Sequence, residues 1–200
     1  MIQPHTATLP DVAFPGRDRL IAAFDAAVLR GAEHAVTAAL RDAMCEAIRD
    51  PVVQLPACVH TPVDGHYARR ELYRSPVHGY SLVAMTWGPG QGTPIHDHDG
   101  LWCVEGIWRG TLEIAQYALL ERDEERFRFL AATGMQAGAG SAGSLIPPHE
   151  YHTIRNASAA TVAVSLHVYE APIRRCARFD PIGDGWYRRV DSALPADATG

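Results

Sequence analysis

The chain has 200 residues, of which 47 % are hydrophobic and 20 % charged, a composition that suits one folded unit with an ordinary core and excludes a disordered polypeptide. A formal net charge of -5, with no clustered Lys/Arg stripe, argues against nucleic acid as a partner. Cys45, Cys58, Cys103 and Cys176 are widely spaced and form no CxxC pair, so neither a zinc knuckle nor a disulfide framework is expected. Residues Met1 to Pro10 lack the basic start and apolar run of a signal peptide, and no stretch reaches membrane-spanning length, which together predict a cytoplasmic protein with no membrane partner.

In chain order, Leu20, Ile21, Phe24, Ala27 and Val28 recur at helical spacing, with Gly31 following as a stop. Val36, Leu40, Met44, Ala47 and Ile48 repeat the pattern as far as Asp50-Pro51, so two amphipathic helices are predicted over about 17–50. From Tyr73 onward the punctuation changes to short β-prone runs separated by Gly and Pro: Tyr80 to Trp87, Leu112 to Leu119, Phe127 to Leu130, Ser144 to Ile146 and Thr161 to Tyr169. Such strands favour a closed or sandwiched antiparallel sheet, here over about 73–180. The small polar residues over about 191–200 read as a mobile tail, and with no repeat or linker the whole of 1–200 reads as a single domain.

His96-Asp97-His98 carries the first chemical signal. On an extended segment, residues two apart share a face, so His96 and His98 can grip one metal ion, while Asp97 points the other way. His152, in Pro147-Pro148-His149-Glu150-Tyr151-His152, can complete a facial set with open positions opposite it, an arrangement suited to oxygen activation by non-heme iron. Glu105 shares the strand parity of a possible fourth ligand but is not expected to be one. A second signal is Ser165-Leu166-His167-Val168-Tyr169, in which alternation puts Ser165, His167 and Tyr169 on one face and the apolar residues on the other. If that polar face lines a cavity, the three residues can form a hydrogen-bonded chain ending at the tyrosine hydroxyl. An outward, solvated sheet face would show the same alternation.

The order Gly90-x5-His96-x-His98-x4-Cys103-x6-Gly110 resembles the first signature of the cupins, with Cys103 where many carry a glutamate ligand. Pro147-x-His149-x-x-His152-x-x-x-Asn156 is similar to their second signature, and by position His152 rather than His149 is the third ligand. Together with Ser165-x-His167-x-Tyr169 the pattern closely resembles the cysteine dioxygenase family of thiol dioxygenases. The resemblance implies a mainly β, cupin-type jelly-roll barrel behind N-terminal α-helices. It further implies an Fe(II) cofactor on His96, His98 and His152, an outer-sphere relay of Ser165 and His167, Tyr169 as the catalytic phenol, and Cys103 as its possible thioether partner.

Tyr67-Ala68-Arg69-Arg70 lies where the family carries a carboxylate-binding residue, and Tyr67-x-Arg69 is similar to the arginine-type pattern. Ungapped counting selects Arg70 instead, so Tyr67, Arg69 and Arg70 are all candidate substrate-binding residues. The expected substrate is a small thiol carboxylate with O2, L-cysteine first. 3-Mercaptopropionate is an alternative, and so is mercaptosuccinate, for which the Arg-rich stretch including Arg74 could offer a second cation. A metal-dependent cupin isomerase and a non-catalytic cupin binding a small acid are the readings from other classes. The oligomeric state is expected to be a monomer or a small homo-oligomer.

Overall fold

The computed structural model describes residues 10–199. Helices α1 (Arg17–Val28) and α2 (Glu33–Arg49) precede eleven strands: β1 (Ala68–Arg74), β2 (Ser81–Trp87), β3 (Ile95–His96), β4 (Cys103–Arg109), β5 (Thr111–Arg122), β6 (Arg126–Gly138), β7 (Ala142–Leu145), β8 (His152–Arg155), β9 (Ala163–Tyr169), β10 (Arg175–Gly183) and β11 (Trp186–Ala193). The helices fall where the apolar spacing predicts them. Leu20, Phe24, Leu40 and Met44 are buried on their shared face.

One sheet has the order β1-β2-β9-β4-β7. The second, β10-β11-β6-β5-β8-β3, closes on itself where β3 meets β10. All observed strand pairs are antiparallel, so the chain forms a jelly-roll-like barrel with the two helices packed on the outside of the first sheet. Helix α2 comes so close to β4 that a methyl group on Gly106 would lie 2.4 Å from Met44 Cγ and 2.9 Å from Ile48 Cδ1. A residue without Cβ is needed there for the helix to seat.

Strand β9 is the hinge between core and cavity. All seven of its residues are buried, so both faces are covered and the solvated-face reading does not hold. Val164, Leu166 and Val168 join the core under the helices, whereas Ser165, His167 and Tyr169 face the barrel interior.

Two expectations are corrected by the strand layout. The barrel begins before Tyr73 and extends past residue 180, because β1 supplies one edge of the first sheet and β11 pairs with both β10 and β6. Residues 191–193 belong to β11 rather than to a mobile tail, and the segment beyond is tied down. Leu194 N donates to Arg174 O at 2.8 Å, Asp197 N donates to Arg69 O at 2.7 Å, and an Asp197 carboxylate oxygen accepts from Arg69 N at 2.7 Å. Small polar residues hid a segment whose order comes from backbone bonding, which composition does not report. Gly200 and Met1 to Leu9 lie outside the described residues.

Candidate metal centre

Antiparallel pairing of β3 with β8 sets His96 directly opposite His152. His98 follows in the loop after β3, where its carbonyl accepts from Leu101 N at 3.1 Å. The three rings converge, with centroids 4.3 Å apart for His96 and His152, 5.0 Å for His98 and His152, and 5.5 Å for His96 and His98. One nitrogen from each lies within 4.8 Å of the other two. His152 Nδ1 donates to Glu150 O at 2.8 Å, and His96 Nδ1 faces Pro94 O at 3.2 Å, which leaves Nε2 of both rings as the lone-pair donor. His152 Nε2 is buried without a hydrogen-bond partner. Burial holds His96 below the ordinary histidine range, and burial reinforced by the neighbouring imidazoles holds His98 and His152 well below it. Three convergent neutral imidazoles, two of them with an orphaned buried nitrogen (His98 Nδ1 and His152 Nε2), fit a divalent first-row metal ion.

The face of β9 forms the next layer. Trp87 Nε1 donates to Ser165 Oγ at 2.9 Å, and Ser165 Oγ is 2.8 Å from His167 Nε2. The expected continuation from His167 to the Tyr169 hydroxyl is replaced by ring stacking, with centroids 6.0 Å apart and an interplanar angle of 13°. The other ring nitrogen, Nδ1, lies instead 3.5 Å from Glu105 Oε2 and 3.9 Å from Cys103 Sγ. Tyr169 stands edge-on to His98 at 5.5 Å and is the register partner of Cys103. Burial pushes both the Tyr169 phenol and the Cys103 thiol well above their usual ranges.

These groups border a cavity of about 280 Å³ whose wall includes Tyr67, Arg69, His96, His98, His152 and Tyr169. Arg69 is buried, with Nη2 bonded to Ile173 O at 3.0 Å and Nε without a partner. Its neighbour Arg70 does not reach the cavity, which corrects its candidacy. In β1, Arg69 is paired with Met85 of the cavity wall and Arg70 with Ala84 of the helical core, so alternation sends them to opposite faces. The Arg70 guanidinium is bonded to Thr86 Oγ1, Thr61 O and Ala198 O at 3.0 to 3.2 Å. Arg74 is likewise committed, to both carboxylate oxygens of Glu71.

Two contributors had no clear sequence signal, and a third, Glu105, reads in the sequence only as a possible fourth ligand. Trp87, readable as core, stacks on Tyr67 with centroids 4.6 Å apart while bonding Ser165. Arg178, on β10, is a second cation in the cavity wall. Glu105 is buried, its carboxyl is lifted to about 7 by desolvation, and its Oε2 is 3.9 Å from His152 Nε2. It stays outside the compact group of three ligand atoms.

The sequence profile described as "Cysteine dioxygenase type I" matches residues 62–181, more than half of the chain. The chain belongs to this family. The matched stretch holds the three histidines, Cys103, Ser165, His167, Tyr169 and Arg69, while both helices lie before it. Among curated members of the family, human cysteine dioxygenase type 1 is 27 % identical over 109 residues, and the Danio rerio protein is 26 % identical over 111 residues. Each alignment covers 50 % of this chain, and the chain spans about half the length of these relatives. Among solved structures, a conserved Klebsiella pneumoniae protein with a double-stranded β-helix domain is 15 % identical, with 60 % of this chain and 84 % of that one covered at a TM-score of 0.45.

Proposed function

We propose that the protein is an Fe(II)-dependent thiol dioxygenase that adds both atoms of O2 to the sulfur of a small thiol carboxylate, with L-cysteine giving cysteine sulfinate as the first candidate. The single observation that carries this reading is the meeting of the three-histidine cluster with His167 and Tyr169, backed by Ser165, in one cavity that also contains Arg69. The stoichiometry is RSH + O2 giving RSO2H, so the sulfur supplies all four electrons and no external reductant enters. Bound Fe(II) would supply an open coordination site that acidifies a thiol and brings sulfur and O2 together. Because the three protein ligands are neutral, the ligand set itself would cancel none of the ion's charge, which would favour an anionic thiolate.

The chain's own residues handle orientation. Arg69, held by Ile173 O and with Nε free, presents N–H groups to the substrate carboxylate. Tyr169, kept protonated by burial, offers an O–H donor to the reacting end, and the stacked His167 ring fixes its position. The register pairing of Cys103 with Tyr169 supports a thioether between them, a link whose formation removes two hydrogens with O2 as the oxidant. Arg178 in the same wall favours a second reading, the same chemistry on a dicarboxylate thiol such as mercaptosuccinate.

The test is an oxygen electrode with Fe(II)-loaded protein and cysteine, 3-mercaptopropionate or mercaptosuccinate, with the product identified by mass. One sulfinate per O2 is the expected result, and the highest kcat/KM identifies the substrate. Flat traces with all three thiols would refute the reading in favour of an isomerase or a binding cupin.

A further inference from the structure

Glu105 lies in β4 opposite His167 of β9. Its carboxylate is buried, and Oε2 has no hydrogen-bond partner. The nearby polar groups are His167 Nδ1 at 3.5 Å and His152 Nε2 at 3.9 Å. An uncompensated buried carboxylate is costly, whereas an N–H···O bond spans about 2.7–3.2 Å, so a small side-chain rotation toward Nδ1 satisfies it.

The hydrogen-bond polarity leading to His167 points the same way. The indole N–H of Trp87 can only donate, so Ser165 Oγ accepts from it at 2.9 Å. That leaves the Ser165 hydroxyl proton free to point at His167 Nε2, 2.8 Å away. A neutral imidazole that accepts at Nε2 carries its proton on Nδ1. That nitrogen has Cys103 Sγ, a weak acceptor, as its contact at 3.9 Å, and Glu105 Oε2 lies 3.5 Å away, near enough to replace it after that rotation.

We propose that Glu105 is a positioning residue: it accepts the Nδ1–H of His167, fixes that tautomer, and so extends the Trp87, Ser165 and His167 chain to a carboxylate set against the His152 ring. The role this gives Glu105 in turnover rests on the thiol dioxygenase reading, since the stacked His167 ring is what holds the Tyr169 phenol. Glu105 borders a separate cavity of about 110 Å³ lined by residues of β4 to β7, and not the cavity that contains Arg69. Its loss therefore acts on kcat rather than on substrate capture.

The deciding experiment is long-range 1H–15N correlation of the imidazoles in the metal-free, full-length protein, with His167 assigned by the signals missing from His167→Gln. Wild type shows His167 protonated on Nδ1. Glu105→Leu, which removes the acceptor but keeps an apolar side chain of similar reach, moves the proton to Nε2, where it bonds Ser165 Oγ. Glu105→Asp restores a measurable Nδ1–H population. With Fe(II) and the best thiol, Glu105→Leu lowers kcat by about 10–100-fold, with KM within about twofold. A wild-type ring protonated on Nε2, or a Glu105→Leu ring still protonated on Nδ1, overturns the tautomer assignment. A switched tautomer with unchanged kcat overturns the positioning role and leaves the dioxygenase reading intact. Failure of wild type to oxidise any thiol removes that reading, and the spectra of the metal-free protein still decide the tautomer.

Discussion

Replacing Arg69 with methionine tests the orientation argument at its strongest point. The guanidinium is buried in the cavity wall, one N–H group is spent on Ile173 O, and Nε is unpartnered. A substrate carboxylate gripped through two charge-assisted bonds gains about 1.5–3 kcal/mol from each. Taking the lower value for both, Arg69→Met removes about 3 kcal/mol of binding, which at about 1.4 kcal/mol per decade lowers kcat/KM for cysteine by about 10²-fold. Methionine fills similar volume without a buried charge, so the melting temperature should stay within about 4 °C of wild type. The assay is initial-rate oxygen uptake over a range of cysteine concentrations, with Arg69→Lys as the companion variant. Lysine keeps the positive charge but loses the planar fork, so it should recover only part of the affinity. A folded Arg69→Met protein with kcat/KM within about threefold of wild type would refute carboxylate recognition by Arg69.

Other consequences can be measured directly. Titrating Fe(II) into metal-free protein to a hundredfold excess over its dissociation constant should add about 2.7 kcal/mol and raise the melting temperature by about 5–11 °C; the same shift in His152→Ala would contradict the ligand assignment. Gly106→Ala drives a methyl group into Met44 and Ile48, so thermal melts should show a loss of about 1–3 kcal/mol. Combining it with Met44→Ala should cost less than the two losses added, and strict additivity would argue against that contact. Tyr80 donates to Asp25 at 2.9 Å, and burial, aided by this bond and the Asp25 charge, raises its phenol pKa above the ordinary value. A pKa raised on folding means the contribution is complete below pH ~10 and lost as pH rises above it, by at most about 1.4 kcal/mol per pH unit. Tyr80→Phe should therefore be less stable than wild type by about 0.5–1.5 kcal/mol at neutral pH. The two denaturation curves should converge in alkali, and a constant gap above pH ~10 would count against the linkage.

The sequence made some parts of this molecule readable and concealed others for physical reasons. Helical periodicity around Phe24 and Met44 survives because one face of each helix meets a continuous core. The His96-x-His98 pair is readable because its spacing is a local property, and so is the alternating face of β9, whereas His152 is found through the resemblance of its own motif. Strands β1 and β11 were hidden by their arginines, and β4 by Glu105 and Gly106, residues that ordinarily disfavour strands. Choosing Arg69 over Arg70 required the register of β1 on β2, and pairing Glu105 with His167 required the register of β4 on β9. Register comes from long-range packing, so local sequence patterns leave it undetermined.

The end of β11 and the segment after it have an evolutionary consequence. Ser192, Ala193 and Leu194 line the cavity, and a few residues later Asp197 bonds both backbone groups of Arg69. Substitutions or length changes there would reshape the pocket and shift Arg69 without touching His96, His98 or His152. Segments outside the barrel strands accept such variation more readily than the strands do. Ligand preference in proteins built this way can therefore diversify at the periphery, with the three histidines left in place.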